Sequence, residues 1–343
     1  MSKLTRKDDI RPLDVSDMKS VINLDRQLSR RSRNGFFEKR FQAFQAEPDA
    51  FVYLGCFGSN GLDGYLLVHM LEGEFGTSEP VAVMDSLGVQ PEMQHQGIGP
   101  ALLDELQSRL KSKNVSLLRT QAEWRHRDIL NFLSTAGFDL AERHIYERDV
   151  APIDNLARER GFGTQHSSSS FGDNLYTTHS TIASQPGSDP DYPVLERDAI
   201  PSRSMKADDL AAIIKIDRKL VGRERRAYYE RKTKETLEES GVRVSLVAED
   251  DGFVVGFIMA RVDFGEFGQT EPEAVIDTIG VDPDFAGKGI GGALISQLMN
   301  NLTALRADRV RSETHYNELG LQQFLQRNGF RPAQRLSFSR QVT

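Results

Sequence analysis

The chain has 343 residues, over twice a typical domain of about 150, so two domains are expected. Its 38 % hydrophobic and 27 % charged residues, with 28 Gly and 13 Pro, exclude collagen-like, coiled-coil and wholly disordered chains. A net charge of −7 gives no basic field to draw nucleic acid or anionic lipid, and a lone cysteine, Cys56, excludes an internal disulfide and fits a reducing compartment. The charged opening Met1–Asp9 lacks the apolar core of a secretory signal, and apolar runs such as Tyr65–Val68 fall far short of the roughly 20 residues of a bilayer span. A cytoplasmic soluble protein without nucleic-acid or membrane partners is expected.

In chain order, Arg11–Leu13 reads as a short strand. Ser16-Asp17 then supplies an N-cap for a helix with Met18, Val21, Ile22 and Leu28 at helical spacing. A second helix is expected around Phe36–Phe44, then strands at Phe51–Phe57, Gly64–Leu71 and Ala82–Val89. A glycine-interrupted loop enters a helix with Leu102, Leu103, Leu106 and Leu110, followed by a strand over Val115–Gln121 and a helix stopping at Gly137-Phe138. From residue 203 the order returns, with helices through Leu210–Leu220 and Tyr228–Leu237 and strands at Val244–Glu249, Val255–Val262 and Ala274–Val281. A helix with Leu294, Ile295, Leu298 and Leu302, a strand over Arg309–Thr314 and a stop at Gly329-Phe330 complete it.

Shifted by 192 residues, 11–150 falls on 203–342 without a gap, and 41 of these 140 positions are identical. The unit is too long for a solenoid repeat of 20–50 residues, so the chain is a duplicated domain, 1–150 and 201–343. Residues 151–200 have no counterpart, and with Ser167–Ser170 and Pro186–Pro190 they read as a partly mobile linker. Each copy is expected to be α+β, with one mixed central sheet flanked by helices.

The chemistry is concentrated where the third long strand ends in Gln94-His95-Gln96-Gly97-Ile98-Gly99-Pro100, mirrored by Ala286-Gly287-Lys288-Gly289-Ile290-Gly291-Gly292. A strand, a Gly-rich turn and a helix start leave backbone N–H groups aimed outward, and together with the helix dipole they suit phosphate oxygens. The spacing is neither a Walker P-loop nor a Gly-x-Gly-x-x-Gly dinucleotide fingerprint.

Gln94-x-x-Gly97-x-Gly99 after Val89-x-Pro91 resembles the coenzyme A motif of the GNAT superfamily of acetyl-CoA-dependent N-acyltransferases, and Gly137-Phe138 and Gly329-Phe330 fit that family's closing step. The resemblance covers both copies and implies a sheet splayed between its fourth and fifth strands. It also implies that pantetheine lies along Leu87 and Val89, or Ile279 and Val281, with pyrophosphate on Gln94–Gly99 or on Gly287–Gly292, and a further coenzyme contact from Asn317. No metal is implied. Pro100 removes one N–H from the first loop, whereas Gly287, Lys288, Gly289, Ile290, Gly291 and Gly292 keep every backbone donor, so the second loop is expected to be the better coenzyme site.

Attack by an amine on a thioester needs a neutral nucleophile, hence a proton acceptor. Asp85 and Asp277, expected by strand alternation to share a face with Leu87 and Val89 and with Ile279 and Val281, are the candidate bases. The blander reading of each is a structural carboxylate bonded to nearby backbone. His315, opposite Glu123 in the repeat, is a candidate relay. The tyrosine that the resemblance implies four residues before Gly-Phe is replaced by Leu133 and Leu325, which leaves Tyr316 as the candidate acid. Glu79 and Glu271, each before a proline, more simply shape turns. The basic residues Arg26, Arg31 and Arg33, repeated as Arg218, Arg223 and Arg225, read either as an acidic-acceptor site or as solvated helix faces.

The expected activity is transfer of an acetyl group from acetyl-CoA to a primary amine, a small molecule or a protein lysine or amino terminus, with the C-terminal copy as main active site. The rivals are a non-catalytic acyl-CoA-binding regulator and a structural pseudo-dimer scaffold.

Overall fold

The computed structural model describes residues 9–72, 80–150, 200–234, 244–264 and 272–342. The linker and the Glu79 and Glu271 turns lie outside these. The first copy runs β1 (Ile10–Pro12), α1 (Met18–Ser29), α2 (Asn34–Ala46), β2 (Phe51–Gly58), β3 (Gly61–Glu72), β4 (Pro80–Val89), α3 (Ile98–Ser112), β5 (Leu117–Glu123), α4 (Arg127–Thr135), β6 (Asp139–Leu140) and β7 (Arg143–Asp149). The second runs β8 (Ser202–Ser204), α5 (Leu210–Val221), α6 (Arg226–Lys234), β9 (Leu246–Asp250), β10 (Phe253–Phe264), β11 (Pro272–Val281), α7 (Ile290–Ala304), β12 (Arg309–His315), α8 (Leu319–Arg327), β13 (Arg331–Pro332) and β14 (Arg335–Gln341).

Local chemistry sets the helix ends. Asp14 accepts from the Ser16 N–H at 2.7 Å and Asp17 from the Asp14 N–H at 3.0 Å, closing the turn that starts α1. α1 buries Val21 and Leu24 and ends on a left-handed residue, Arg30; its repeat α5 ends on Gly222 in the same conformation. Each sheet is a filling between two helical layers. Leu102, Leu103, Leu106 and Leu110 of α3 pack on Leu54, Leu66 and Val68, while Phe37 and Phe41 of α2 and Val21 and Leu24 of α1 pack on Tyr53, Tyr65 and Leu67 of the opposite face. The second copy repeats both layers around Leu294, Ile295 and Leu298, and around Ile213, Tyr229 and Phe257.

The sheets are mixed, seven strands each, in the orders β1-β2-β3-β4-β5-β14-β6 and β13-β7-β12-β11-β10-β9-β8. The last strand of each repeat is thus exchanged: β14 lies antiparallel along β5, Phe338 opposite Thr120, and β7 lies along β12, Tyr146 opposite Ser312. The repeat unit and the folded sheet therefore do not share a boundary. Gln121 and Glu313, equivalent positions 192 residues apart, meet across the junction at 3.2 Å and mark the pseudo-twofold axis. Around them Ser337 donates to Glu313 at 2.8 Å, Arg311 to Glu273 at 2.8 Å and Arg335 to Glu273 at 3.4 Å. Buried ionic groups of this kind are tolerated when their hydrogen bonds are met, and they fix register more than they add stability.

Candidate active site

β4 and β5 are parallel and pair only over Val81–Val83 against Leu117–Arg119; β11 and β12 pair only over Glu273–Ile276 against Arg309–Ser312. Beyond these residues each pair separates, leaving one edge of β4 and of β11 open toward the loop that follows. Leu87, Val89, Ile279 and Val281 lie along the opened strands, each half-buried.

At the head of each cleft the two loops adopt the same backbone. A short 3₁₀ turn, Pro91–Met93 or Pro283–Phe285, precedes a left-handed Gly97 (φ 86°) or Gly289 (φ 78°) that caps α3 or α7. Neither helix start takes a side-chain hydrogen bond at its cap, so its first N–H groups are offered to a ligand. Gln94, His95, Gln96, Gly287 and Lys288 are exposed, while Ile98 and Ile290 turn into the core. Position two of the loop is left-handed in both copies, as His95 (φ 60°) and Gly287 (φ 78°), so the first copy holds with an imidazole-bearing residue what the second gives to glycine. Lys288 is drawn over the Phe285 ring, 4.4 Å from its centroid, which keeps a cation beside the donors. These features suit a diphosphate group such as that of coenzyme A, which would supply an activated thioester to the cleft.

Halfway along the open edge, β4 carries a bulge. Leu67 faces Ser86 and Val68 faces Met84, so Asp85 is the extra residue; Asp277 occupies the same position between Ile276 and Thr278. The bulge corrects the alternation read from sequence. Asp85 and Ser86 both face α1 and α2, whereas Leu87 and Val89 pack on the other face with α3. A strand without an extra residue would place Asp85 with Leu87.

The environments of the two aspartates differ. Asp85 is 2 % exposed and receives the His69 ring nitrogen Nδ1 at 2.8 Å and the Arg40 guanidinium at 3.2 and 3.3 Å. Asp277 is also buried, but Arg261 bonds it directly and the Lys232 Nζ stands 3.7 Å away. Positions 69 and 261 are equivalent, as are 40 and 232, so the repeat has exchanged an imidazole for a guanidinium at one corner of the triad. His69 escaped the sequence reading because it lies in an apolar strand far from any motif, its only signal being the mismatch with Arg261.

Beside each triad lies a second buried cluster. In the first copy Arg33 bonds Asp25, and the Tyr65 hydroxyl reaches Asp25 at 2.7 Å and Ser86 at 3.0 Å. In the second copy Arg225 bonds Asp217, and the hydroxyl comes from Tyr229 of α6 at 2.8 Å. Burial, reinforced by Asp25, pushes the Tyr65 hydroxyl far up, and Tyr229 behaves alike, so both remain donors. Two of the repeated arginines, Arg33 and Arg225, are thus internal braces rather than acceptor contacts.

The other candidates fall elsewhere. His315 ends β12, three residues beyond the last pairing with β11, where its Nε2 faces Glu142 at 3.3 Å and its backbone N–H bonds Glu318 at 2.8 Å. Tyr316 is 44 % exposed, its ring 4.3 Å from that of His144, and Asn317 is exposed. No hydrogen bond among the described residues joins Asp277 to His315 or Tyr316. Leu133 and Leu325 are buried in the cores, so α4 and α8 present no hydroxyl at that position.

The sequence matches the acetyltransferase (GNAT) family over residues 19–138 and again over residues 209–330. The chain belongs to the GNAT family, twice over. Curated proteins yield no match to this GNAT chain, but solved structures share its fold. It is similar to a tandem GNAT protein from the clavulanic acid biosynthesis pathway (14 % identity, TM-score 0.62, covering 97 % of this chain and 98 % of that one). A GCN5-related N-acetyltransferase from Sphaerobacter thermophilus aligns at 12 % identity and TM-score 0.59, covering 97 % and 95 %. An N-myristoyltransferase from Saccharomyces cerevisiae aligns at 13 % identity and TM-score 0.58, covering 97 % and 79 %. This tandem GNAT chain has, among its described residues, no helix long and apolar enough to cross a membrane.

Proposed function

We propose that this GNAT chain moves an acetyl group from acetyl-CoA to a primary amine by direct attack. The observation that supports the reading best is the duplicated anion cradle: an uncapped helix start behind a left-handed glycine, at the mouth of a cleft between strands that have just parted. Phosphates on the cradle direct the thioester down the open edge toward the bulge. There the ladder is interrupted by one extra residue, Asp85 or Asp277. The C-terminal cradle, with Gly292 in place of Pro100 and Lys288 pinned beside it, offers coenzyme the fuller set of donors.

A second reading, a coenzyme-binding regulator without turnover, is favoured by the buried Leu133 and Leu325, which leave no hydroxyl on α4 or α8 to protonate a leaving thiolate. Because a thiol titrates near 8.5, a thiolate is a tolerable leaving group, and transfer without that acid is feasible. Calorimetry with acetyl-CoA, followed by thiol release against a panel of primary amines, tests both readings. Binding that Gly289→Asp/Gly291→Asp weakens most, with turnover, is the expected result. Binding without turnover selects the regulator, and no binding by the wild type overturns both.

A further inference from the structure

We infer that the amine gives up its proton in the N-terminal half, with His69 as the catalytic base and Asp85 as the residue that positions it. The inference rests on the acyl-transfer reading above and assigns the half in which the chemistry occurs. His69 is on β3 opposite Val83, the last residue of β4 that still pairs with β5, so its backbone is level with the point where the cleft opens, one residue from the bulge, and its ring reaches Asp85 in that bulge. A carboxylate paired with the Arg40 guanidinium only accepts hydrogen bonds, so the contact at 2.8 Å has His69 Nδ1 as donor. With the hydrogen on Nδ1, the neutral ring keeps its lone pair on Nε2, the arrangement a general base requires. The ring retains 11 % exposure.

The C-terminal half has lost this chemistry. Arg261 replaces the imidazole and bonds Asp277 itself, so that carboxylate is held between two fixed cations, Arg261 and Lys232. An arginine has no lone pair to offer. The step at His69 therefore uses acetyl-CoA held at the N-terminal loop, Gln94–Gly99, which heads the same β4/β5 cleft, while the C-terminal loop with its fuller donor set binds coenzyme without this base.

In the step, the amine nitrogen forms a bond to the thioester carbonyl carbon as the carbon–sulfur bond breaks. The amine proton passes to Nε2 of His69 and then to the departing thiolate, giving amide and free thiol and returning the neutral ring.

The test compares wild type with His69→Gln and Asp85→Asn, measuring acetyl-CoA affinity by calorimetry and turnover by thiol release against primary amines. His69→Gln is expected to keep the affinity and the amine KM while kcat falls about 100-fold or more, the usual contribution of a general base. Asp85→Asn is expected to lose less. Equal turnover in His69→Gln and wild type overturns this inference and leaves the acyl-transfer reading standing. A wild type that binds no acetyl-CoA overturns both, and one that binds but acylates no amine overturns the role of His69 in favour of the regulator. Should the variants fold poorly, nitrogen-15 spectra of wild-type histidines decide: a neutral His69 ring with hydrogen on Nδ1 is expected, and hydrogen on Nε2 removes the base.

Discussion

At the scale of single residues, the two copies solve one problem with different side chains. The buried aspartate of the first helix, Asp25 or Asp217, takes a hydroxyl donor that β3 provides as Tyr65 in the first copy and α6 as Tyr229 in the second. The positions opposite are filled reciprocally, by Phe37 on α2 and Phe257 on β10, and the ring pairs meet edge to face at 6.2 and 5.9 Å. Tyr65→Phe is therefore expected to cost about 1–2 kcal/mol in chemical denaturation, and adding Phe37→Tyr should restore part of it. Independent, additive effects would show that the hydroxyls are not interchangeable. Gly88 recurs as Gly280 for a reason from the same neighbourhood. A Cβ on Gly88 would lie 2.5 Å from the Tyr65 ring and 2.7 Å from Leu28, so Gly88→Ala is expected to destabilise by about 1–3 kcal/mol. In sequence these Tyr–Phe differences look like two unrelated conservative changes; only the fold makes them one.

Elements were legible where periodicity or a cap dictated them. The helix from Met18, the three long strands and the Gly-rich entry to α3 all lie close to where their patterns put them. Face assignment after the bulge was not legible, because one extra residue reverses the alternation with no change in composition. The clamp between the first strand and first helix of each copy was equally hidden: Arg11 grips Asp17 at 2.7 and 2.9 Å, and Arg203 grips Asp209 at 2.8 Å through both nitrogens. The Arg11 hydrogen bond holds the Asp17 carboxyl below its ordinary 3.8, and at Asp209 the bonds from Arg203 and the Lys206 backbone outweigh the upward push of burial. A carboxylate lowered on folding stabilises the fold fully above its ordinary value, and that contribution is lost as pH falls through the lowered one. Wild-type Tm should therefore drop on acidification below about pH 4, and Asp17→Asn/Asp209→Asn should flatten that drop. An unchanged acid limb in the double variant would show that the clamps do not couple to folding.

For the whole molecule, the offset of 192 residues revealed the duplication but not the exchange of β7 and β14. Both strands carry a similar pattern, and Arg143 matches Arg335, so either would complete either sheet by sequence alone. The exchange makes each half depend on the other. A protease site engineered into 151–199 and cut in the folded protein should leave both fragments co-eluting at the mass of the intact chain until urea is added; fragments that separate in native buffer would refute the exchanged sheets. Binding energy between the halves then comes from complete strands, Arg143–Asp149 and Arg335–Gln341, together with contacts such as Lys39 Nζ to the Val262 carbonyl at 3.3 Å.

Val150 and Ile200, the two ends of the connection between the repeats, both rest on the core cluster of the second sheet. The passage from one sheet to the other is made instead by the two-residue steps Ala141-Glu142 and Ala333-Gln334. The two described ends of the connection, Val150 and Ile200, therefore belong to one and the same core. One residue added at Ala141-Glu142, between β6 of one sheet and β7 of the other, would pull on both sheets at once.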